Sequence, residues 1–321
     1  MTKPAPISAN NLPTPALETW KYTNLPRALP ANLKLAEKPQ EILIHKNRGQ
    51  ICEQPEDILF TGAENEQQQP ALKIRLEEGA RLTLIERHNG KNAYWKNMTT
   101  QIAIEEGAIL THIRIQNDSP QAIHTNMVEI NLARNAHYNS LSLNTGAKLM
   151  RHEITAHING TGTESHFNGL NLLSADQHGD TTILVEHKAP NSFSKQFYRS
   201  LLNDRAHGVF QGKVYVHKEA QKTDAYQLSN AILLSEHAEM DTKPELEIYA
   251  DDVKCSHGST CGQLDEEPLF YLRQRGINEA QARMLLLQAF IGEIIDTLDD
   301  SSVKEELEQK AEKWLSSILV N

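Results

Sequence analysis

Between Leu72 and Tyr249 apolar and polar residues alternate in short bursts separated by turn residues. Leu72-Lys73-Ile74-Arg75-Leu76 has the period of two expected of a strand with one buried face. The turn Glu77-Glu78-Gly79-Ala80 follows, then a second such run from Arg81 to Ile85. The unit returns as Ile102-Ala103-Ile104, Glu105-Glu106-Gly107-Ala108 and Ile109 to Ile115. It returns again as Val128 to Leu132, Ala133-Arg134-Asn135-Ala136 and Leu141 to Leu143. Ala80, Ala108 and Ala136 are spaced 28 residues apart, with weaker copies around Ala206, Ala220 and Ala238. One such repeat cannot bury its own apolar face, whereas stacked repeats share a continuous core. The pattern predicts a mainly β protein, a β-solenoid with Gly, Asn or Asp at its corners. An ordinary β-sandwich would also have short, regularly spaced strands.

The flanks differ from this body. Pro4, Pro6, Pro13, Pro15, Pro26, Pro30 and Pro39 leave no room for a long helix at the start, and Ala63 to Pro70 reads as a linker. After Gln263 the period lengthens. Gly276 reads as a helix stop, and Asn278 with Gln281 three residues on makes a capping-box start. Leu287, Phe290, Ile291, Ile294, Ile295 and Leu298 then share one helical face. Ser302 with Glu305 opens another helix, striped by Val303, Leu307, Ala311, Trp314, Leu315 and Ile318. The expected division is a short N-terminal segment and linker over 1–70, a solenoid core over 71–262 and a helical region over 263–321. Most of the helical stripe should pack on the solenoid, and two consecutive amphipathic helices can also present a docking face.

Composition narrows the function. The 321 residues carry a net charge of -10, a surface that repels phosphate backbones and excludes nucleic acid as a natural partner. Met1 to Asn11 lacks the charged-then-apolar form of a leader. The longest apolar stretch, Met284 to Ile295, is interrupted by Gln288, Gly292 and Glu293 and is too short to span a bilayer. Only Cys52, Cys255 and Cys261 carry thiols, which is no disulfide framework, so a reducing cytoplasm off the membrane is expected.

The chain has no Walker-type phosphate loop, no Gly-x-Ser-x-Gly elbow and no His-Glu-x-x-His helix. Of its histidines, His112, His137, His187 and His217 read as outward-facing residues of alternating strands. One cluster stands apart: Asp251-Asp252-Val253-Lys254-Cys255-Ser256-His257-Gly258-Ser259-Thr260-Cys261-Gly262. Two thiols and an imidazole are soft and borderline ligands suited to iron, zinc or sulfide. On a strand Cys255 and His257 share a face, while Cys261, beyond Gly258, has no assigned direction. The plainer alternative is that Cys255 is a small buried hydrophobe and His257 a turn histidine.

The stretch Asp251 to Gly258, continuing through Gly262-Gln263-Leu264-Asp265 and Leu269 to Ile277, resembles the C-terminal signature of the SufB/SufD family of iron–sulfur cluster assembly scaffold proteins. Asp241-Thr242-Lys243-Pro244 and Leu246 to Ala250 look like its SufD branch, and Trp20-Lys21-Tyr22-Thr23-Asn24-Leu25 is similar to its short aromatic motif. SufB-type chains typically carry a cysteine shortly before the last strand, and Met240 to Pro244 has none. The resemblance implies a right-handed parallel β-helix core in a non-enzymatic scaffold subunit. It implies a heterodimer with a SufB-like paralogue, and contact with the ATPase SufC through the C-terminal helices, with ATP hydrolysed in SufC. It also implies that His257, with Cys255 as near neighbour, handles iron or a nascent iron–sulfur cluster at the SufB interface. That cargo would be transient and shared, and not bound tightly by the isolated chain. A homodimer in isolation and a flavin site are left open. Two departures are the short N-terminal region and Cys261, where the family commonly has a small or apolar residue. Competing readings are a secreted-type solenoid carbohydrate-active enzyme using acidic residues, and a stand-alone metal-binding module built on Cys255, His257 and Cys261.

Overall fold

The early corners turn on residues that tolerate positive φ. In the turns ending at Ala80, Ala108 and Ala136, the alanine's amide donates to the carbonyl three residues back, at 3.0, 3.1 and 3.2 Å. The residue before each alanine is left-handed: Gly79 at +69°, Gly107 at +64° and Asn135 at +53°. Glycine and asparagine occupy that position because it costs them least. The alanines themselves are fully buried.

From these corners the computed structural model, which describes residues 5–30 and 32–319, winds between two sheets. Met1 to Pro4, Ala31, Val320 and Asn321 of the terminal segments delimited above lie outside the described residues. Ala71–Leu76 pairs with Trp95–Ile104 in one sheet, while Arg81–Gly90 pairs with Ile109–Gln116 in the other. From Ala71 onward consecutive strands alternate sheets, and every pairing is parallel, giving a ten-stranded and an eight-stranded sheet in a parallel β-solenoid of about eight turns. A sandwich built from tight hairpins would have antiparallel neighbours, so that alternative is out.

Stacking begins ahead of residue 71: Glu41–Lys46 pairs with Ala71–Leu76, and Glu56–Gly62 with Arg81–Gly90. Inside the stretch read as a linker, Glu66–Gln68 is a strand that pairs with Trp95–Ile104. Of the weaker corner copies, Ala220 lies on the same edge as the first three. Ala206 and Ala238 lie on the opposite edge, where the chain returns to the ten-stranded sheet.

The interior has two characters. Leu72, Ile74, Ile102, Ile130 and Val185 belong to an aliphatic stack along the axis. The eight-stranded sheet lines the rest with polar side chains that bond from rung to rung. Arg114 donates to Asn144 Oδ1 (2.9 Å), Asn144 to Asn171 Oδ1 (2.9 Å) and Asn171 to Ser200 Oγ (3.2 Å). Two of the histidines read as outward-facing point in. His112 is buried between Glu86 and Tyr138, and His187 between the hydroxyls of Ser192 and Ser194. Partners inside the core, rather than water, satisfy these rings.

Around the solenoid, α1 (Leu25–Ala28) is a single turn capped by Asn24, in a segment that crosses the outer face of the ten-stranded sheet. There the Arg151 guanidinium lies 4.0 Å from the centroid of the buried Trp20 ring. At the other end of the chain come α2 (Glu266–Gln274), α3 (Glu279–Ile295) and α4 (Ser301–Leu319). Gly276, at φ +86°, closes α2 as expected, and Asn278 caps α3 by accepting the Gln281 amide at 2.9 Å. The cap of α4 is Asp300, not Ser302: its carboxylate takes the amides of Ser302 (2.9 Å) and Val303 (3.1 Å). A carboxylate at the positive helix end serves both.

The stripes of α3 and α4 cover an apolar outer face of the eight-stranded sheet, including Ile85, Ile113, Leu141, Leu170 and Leu201. That sheet is therefore buried on both faces, as parallel sheets generally are. Arg87 bonded to Glu306, and Arg199 to the Phe290 carbonyl and Glu293, tie the helices down. Among the described residues no helix is long and apolar enough to cross a membrane.

Candidate functional site

The strand Lys254–Gly262 ends the eight-stranded sheet, and Glu239–Ile248 ends the ten-stranded one. Each has a single neighbour, so the thiol–imidazole motif forms the open end of the solenoid. Register sets Cys255 against Ala225, His257 against Gln227, Ser259 against Ser229 and Cys261 against Ala231. The latter four are all buried, facing the interior. Side chains in register share a face, so Cys255, His257, Ser259 and Cys261 all lie on the inward side. Ser259 confirms it by donating to Thr242 Oγ1 of the facing sheet at 3.0 Å. Cys261 therefore joins the face that Cys255 and His257 share.

Sharing a face is not convergence. Alternate residues of a strand are about 6.6 Å apart, so Cys255 and Cys261 stand about 20 Å from each other. Among the described residues no three His, Cys, Asp or Glu side chains gather to hold a metal ion.

Their surroundings differ. Cys255 packs with Val214, Val216, Ala225 and Ala250, and this burial pushes its thiol pKa up. Desolvation raises that of Cys261 as well. Neither thiol has the depressed pKa of an activated thiolate. His257 is exposed at the mouth, where an imidazole lone pair can reach a ligand outside the chain.

The rim suits a macromolecular partner. Tyr226, Leu228, Ile248 and Tyr249 are exposed around the two terminal strands, whose outer backbone edges have no sheet neighbour. Exposed edges of this kind are templates for another chain. A second apolar surface lies on the tail. Phe270 and Tyr271 project from α2, and an open groove of about 530 Å³ is lined by Ile277, Ala280, Met284, Leu285 and Leu319.

A buried ionic cluster near the other end escaped the sequence reading. Asp118 accepts from Lys96 (2.7 Å), Tyr94 (2.5 Å), His124 (2.6 Å) and Gln116 (2.9 Å). Burial alone would raise its pKa, but His124 and Lys96 hold it well below the carboxylate range. Arg114 can only donate, so His124 Nε2, 2.9 Å from it, carries the lone pair and Nδ1 the proton given to Asp118. Glu86 is held likewise by His112 (2.8 Å) and His88 (2.5 Å). With both carboxylates saturated and buried, this cluster is part of the core. Parity was the available signal: Glu86 and His88 continue the inward positions of Leu82 and Leu84, and His112 and Arg114 those of Leu110.

Comparison with known proteins agrees with this architecture. The sequence model of the family described as "SUF system FeS cluster assembly, SufBD core domain" matches residues 59–290. An iron–sulfur cluster assembly SufBD family protein of Synechocystis sp. is 36% identical over 251 residues, covering 75% of this chain and 55% of that protein. The iron–sulfur cluster assembly protein SufD of Escherichia coli is 35% identical over 236 residues, 73% of this chain and 56% of that protein. A SufBD family protein of Mycobacterium leprae is 31% identical over 244 residues, 74% and 62% respectively. The chain thus spans little more than half the length of the relatives it matches.

Proposed function

The chain belongs to the SufBD family of the SUF iron–sulfur cluster assembly system, on its SufD side, and from that premise we propose that it is a non-enzymatic scaffold subunit whose open solenoid end docks a SufB-like paralogue. The observation that carries this reading is the coincidence of three features at one end. Both sheets stop there with unpaired edges, apolar side chains ring them, and the thiol–imidazole face looks out between. Among the described residues this end gathers fewer than three such donors, so a second chain seated on the same edges would complete a ligand set. His257 is the donor from this side, with Cys255 packed behind it as a secondary contributor. Iron, or a nascent cluster, is the cargo.

The apolar groove between α3 and the end of α4 is the natural seat for a SufC-type ATPase, which would supply the nucleotide hydrolysis for which this chain has no phosphate loop. Such an assembly would work in the cytoplasm. The test is anaerobic co-purification of the chain with SufB-type and SufC-type partners, reading iron content and cluster absorbance. His257→Ala should leave the complex assembled and sharply lower both. Wild-type cluster content on the His257→Ala complex would refute the assignment.

A further inference from the structure

Directly inward of His257, two amides are left without partners. Gln227 stands in register with His257 on the neighbouring strand, and Gln196 stands in register with Gln227 one strand deeper. Gln227 is 3% exposed and Gln196 0%, yet neither the oxygen nor the nitrogen of either amide has a hydrogen-bond partner among the described residues. Elsewhere the same sheet shows what stacked amides do, since Asn144 donates to Asn171 one strand on. Buried polar groups are normally satisfied, so two unspent amides in one column call for a partner.

The fold also makes room for them. Gly212 sits mid-strand opposite, where glycine has no packing to offer. A Cβ there would come within 2.9 Å of Gln196 Oε1 and of the Phe210 ring. A strand position has thus been kept bare beside an amide that bonds to nothing. The one side chain in the column above Gln227 is the His257 imidazole, a strand spacing of about 4.8 Å away and within reach of a glutamine rotamer.

Histidines that present one ring nitrogen to a metal generally donate the other N–H to a carbonyl or carboxylate, which fixes tautomer and ring orientation. We propose that Gln227 is the positioning residue of the His257 site. Its amide oxygen accepts the inward ring N–H, so the lone pair of the outer nitrogen faces the cargo, and Gln196, with the space left by Gly212, supports the amide from below. The role assigned to Gln227 rests on His257 being the donor; the tautomer itself does not.

The full metal-free chain, labelled with ¹⁵N-histidine, tests this by long-range ¹H–¹⁵N correlation at fixed neutral pH, with the His257 signals identified by their loss in His257→Ala. The wild-type ring should show one protonated and one bare nitrogen. Gln227→Met, of similar shape but without the amide, should average the two, while the other histidine signals stay in place. Gln227→Glu should restore the single tautomer. Gln227→Asn, which withdraws the amide by one methylene, should behave like Gln227→Met and serves if that variant does not fold. Cobalt(II) titration of the complex with its SufB-type partner should show affinity falling about 10–100-fold in Gln227→Met. An unchanged His257 spectrum in Gln227→Met or Gln227→Asn would overturn the proposal. Cluster loading that ignores His257→Ala, alongside these spectral changes, would instead sink the functional assignment and leave the geometry standing.

Discussion

Removing the Asp118 carboxylate should be among the most damaging single changes in the solenoid. Lys96 Nζ lies 2.7 Å from Asp118 Oδ1, 3.0 Å from the Phe60 carbonyl and 3.3 Å from the Asn89 carbonyl. The two side chains are 1% and 0% exposed. Asp118→Ala leaves the ammonium buried with two neutral acceptors, and orphans Tyr94, His124 and Gln116 as well. Breaking a buried pair from one side costs about 3–5 kcal/mol, whereas replacing both partners by apolar groups costs far less. Lys96→Met with Asp118→Ala should therefore be less destabilised than the sum of the singles, by about 2–3 kcal/mol. Urea unfolding of the four proteins of the cycle measures this. The folded pKa of Asp118 is depressed, so its contribution is fully present above the unfolded value of about 3.9 and is lost only as pH falls through the depressed folded value. Wild type should lose this increment in strong acid, and Asp118→Ala should have none to lose. Additive single costs would refute the reasoning, since the penalty would then not come from an uncompensated buried charge.

Three further outcomes follow from other parts of the molecule. Leu285 on α3 is 47% exposed, so Leu285→Asp should alter stability by less than about 0.5 kcal/mol while reducing SufC-type capture at least about tenfold. Unaltered capture would move the docking site elsewhere; deleting α4 is a poorer test, because it uncovers Ile113 and Leu141. Cluster content on the assembled complex should fall modestly in Cys255→Ala and stay at wild-type level in Cys261→Ala, and a large loss in the latter would make that thiol a ligand. Against the opposing effect of burial, bonds from Lys188, His157 and His217 bring Glu186 down to about 2 from an ordinary 4.5. Its stabilisation should hold above the unfolded value and vanish between the two, so Glu186→Gln should flatten the unfolding midpoint between pH 4.5 and pH 2; an unchanged slope would contradict this.

The rungs and the tail were legible because their signals are local. A period of two, a Gly or Asn before a buried alanine, and Asn278 three residues ahead of Gln281 each need only a few neighbouring letters. The first rungs were harder. Glu41–Lys46 offers only Ile42 and Ile44 on its inward face, while Leu43 is exposed, so the burst is too short to distinguish from a loop. The inward polar residues failed for another reason. Polarity on a strand argues for the solvent face, and only strand parity, extended past Leu82 and Leu84, places Glu86 and His88 inside.

The site shows where local reading stops. That Cys255 and His257 share a face follows from their spacing of two, but what lies beneath His257 depends on stacking between distant repeats. The repeat is not constant. It measures 28 residues from Ile109 to His137, 31 from Gln196 to Gln227 and 30 from Gln227 to His257. Carried back from His257, the early period of 28 lands first on Ser229 and then on Leu201, which lies on the outer face under the helices. In a strand a slip of one residue exchanges the faces, and a slip of two changes which side chains stack. Gln196 and Gln227 thus come under the imidazole only through corner insertions of two or three residues, each in a turn that can absorb them without disturbing the strands. The functional column is set by loop lengths, a quantity the hydrophobic pattern does not encode.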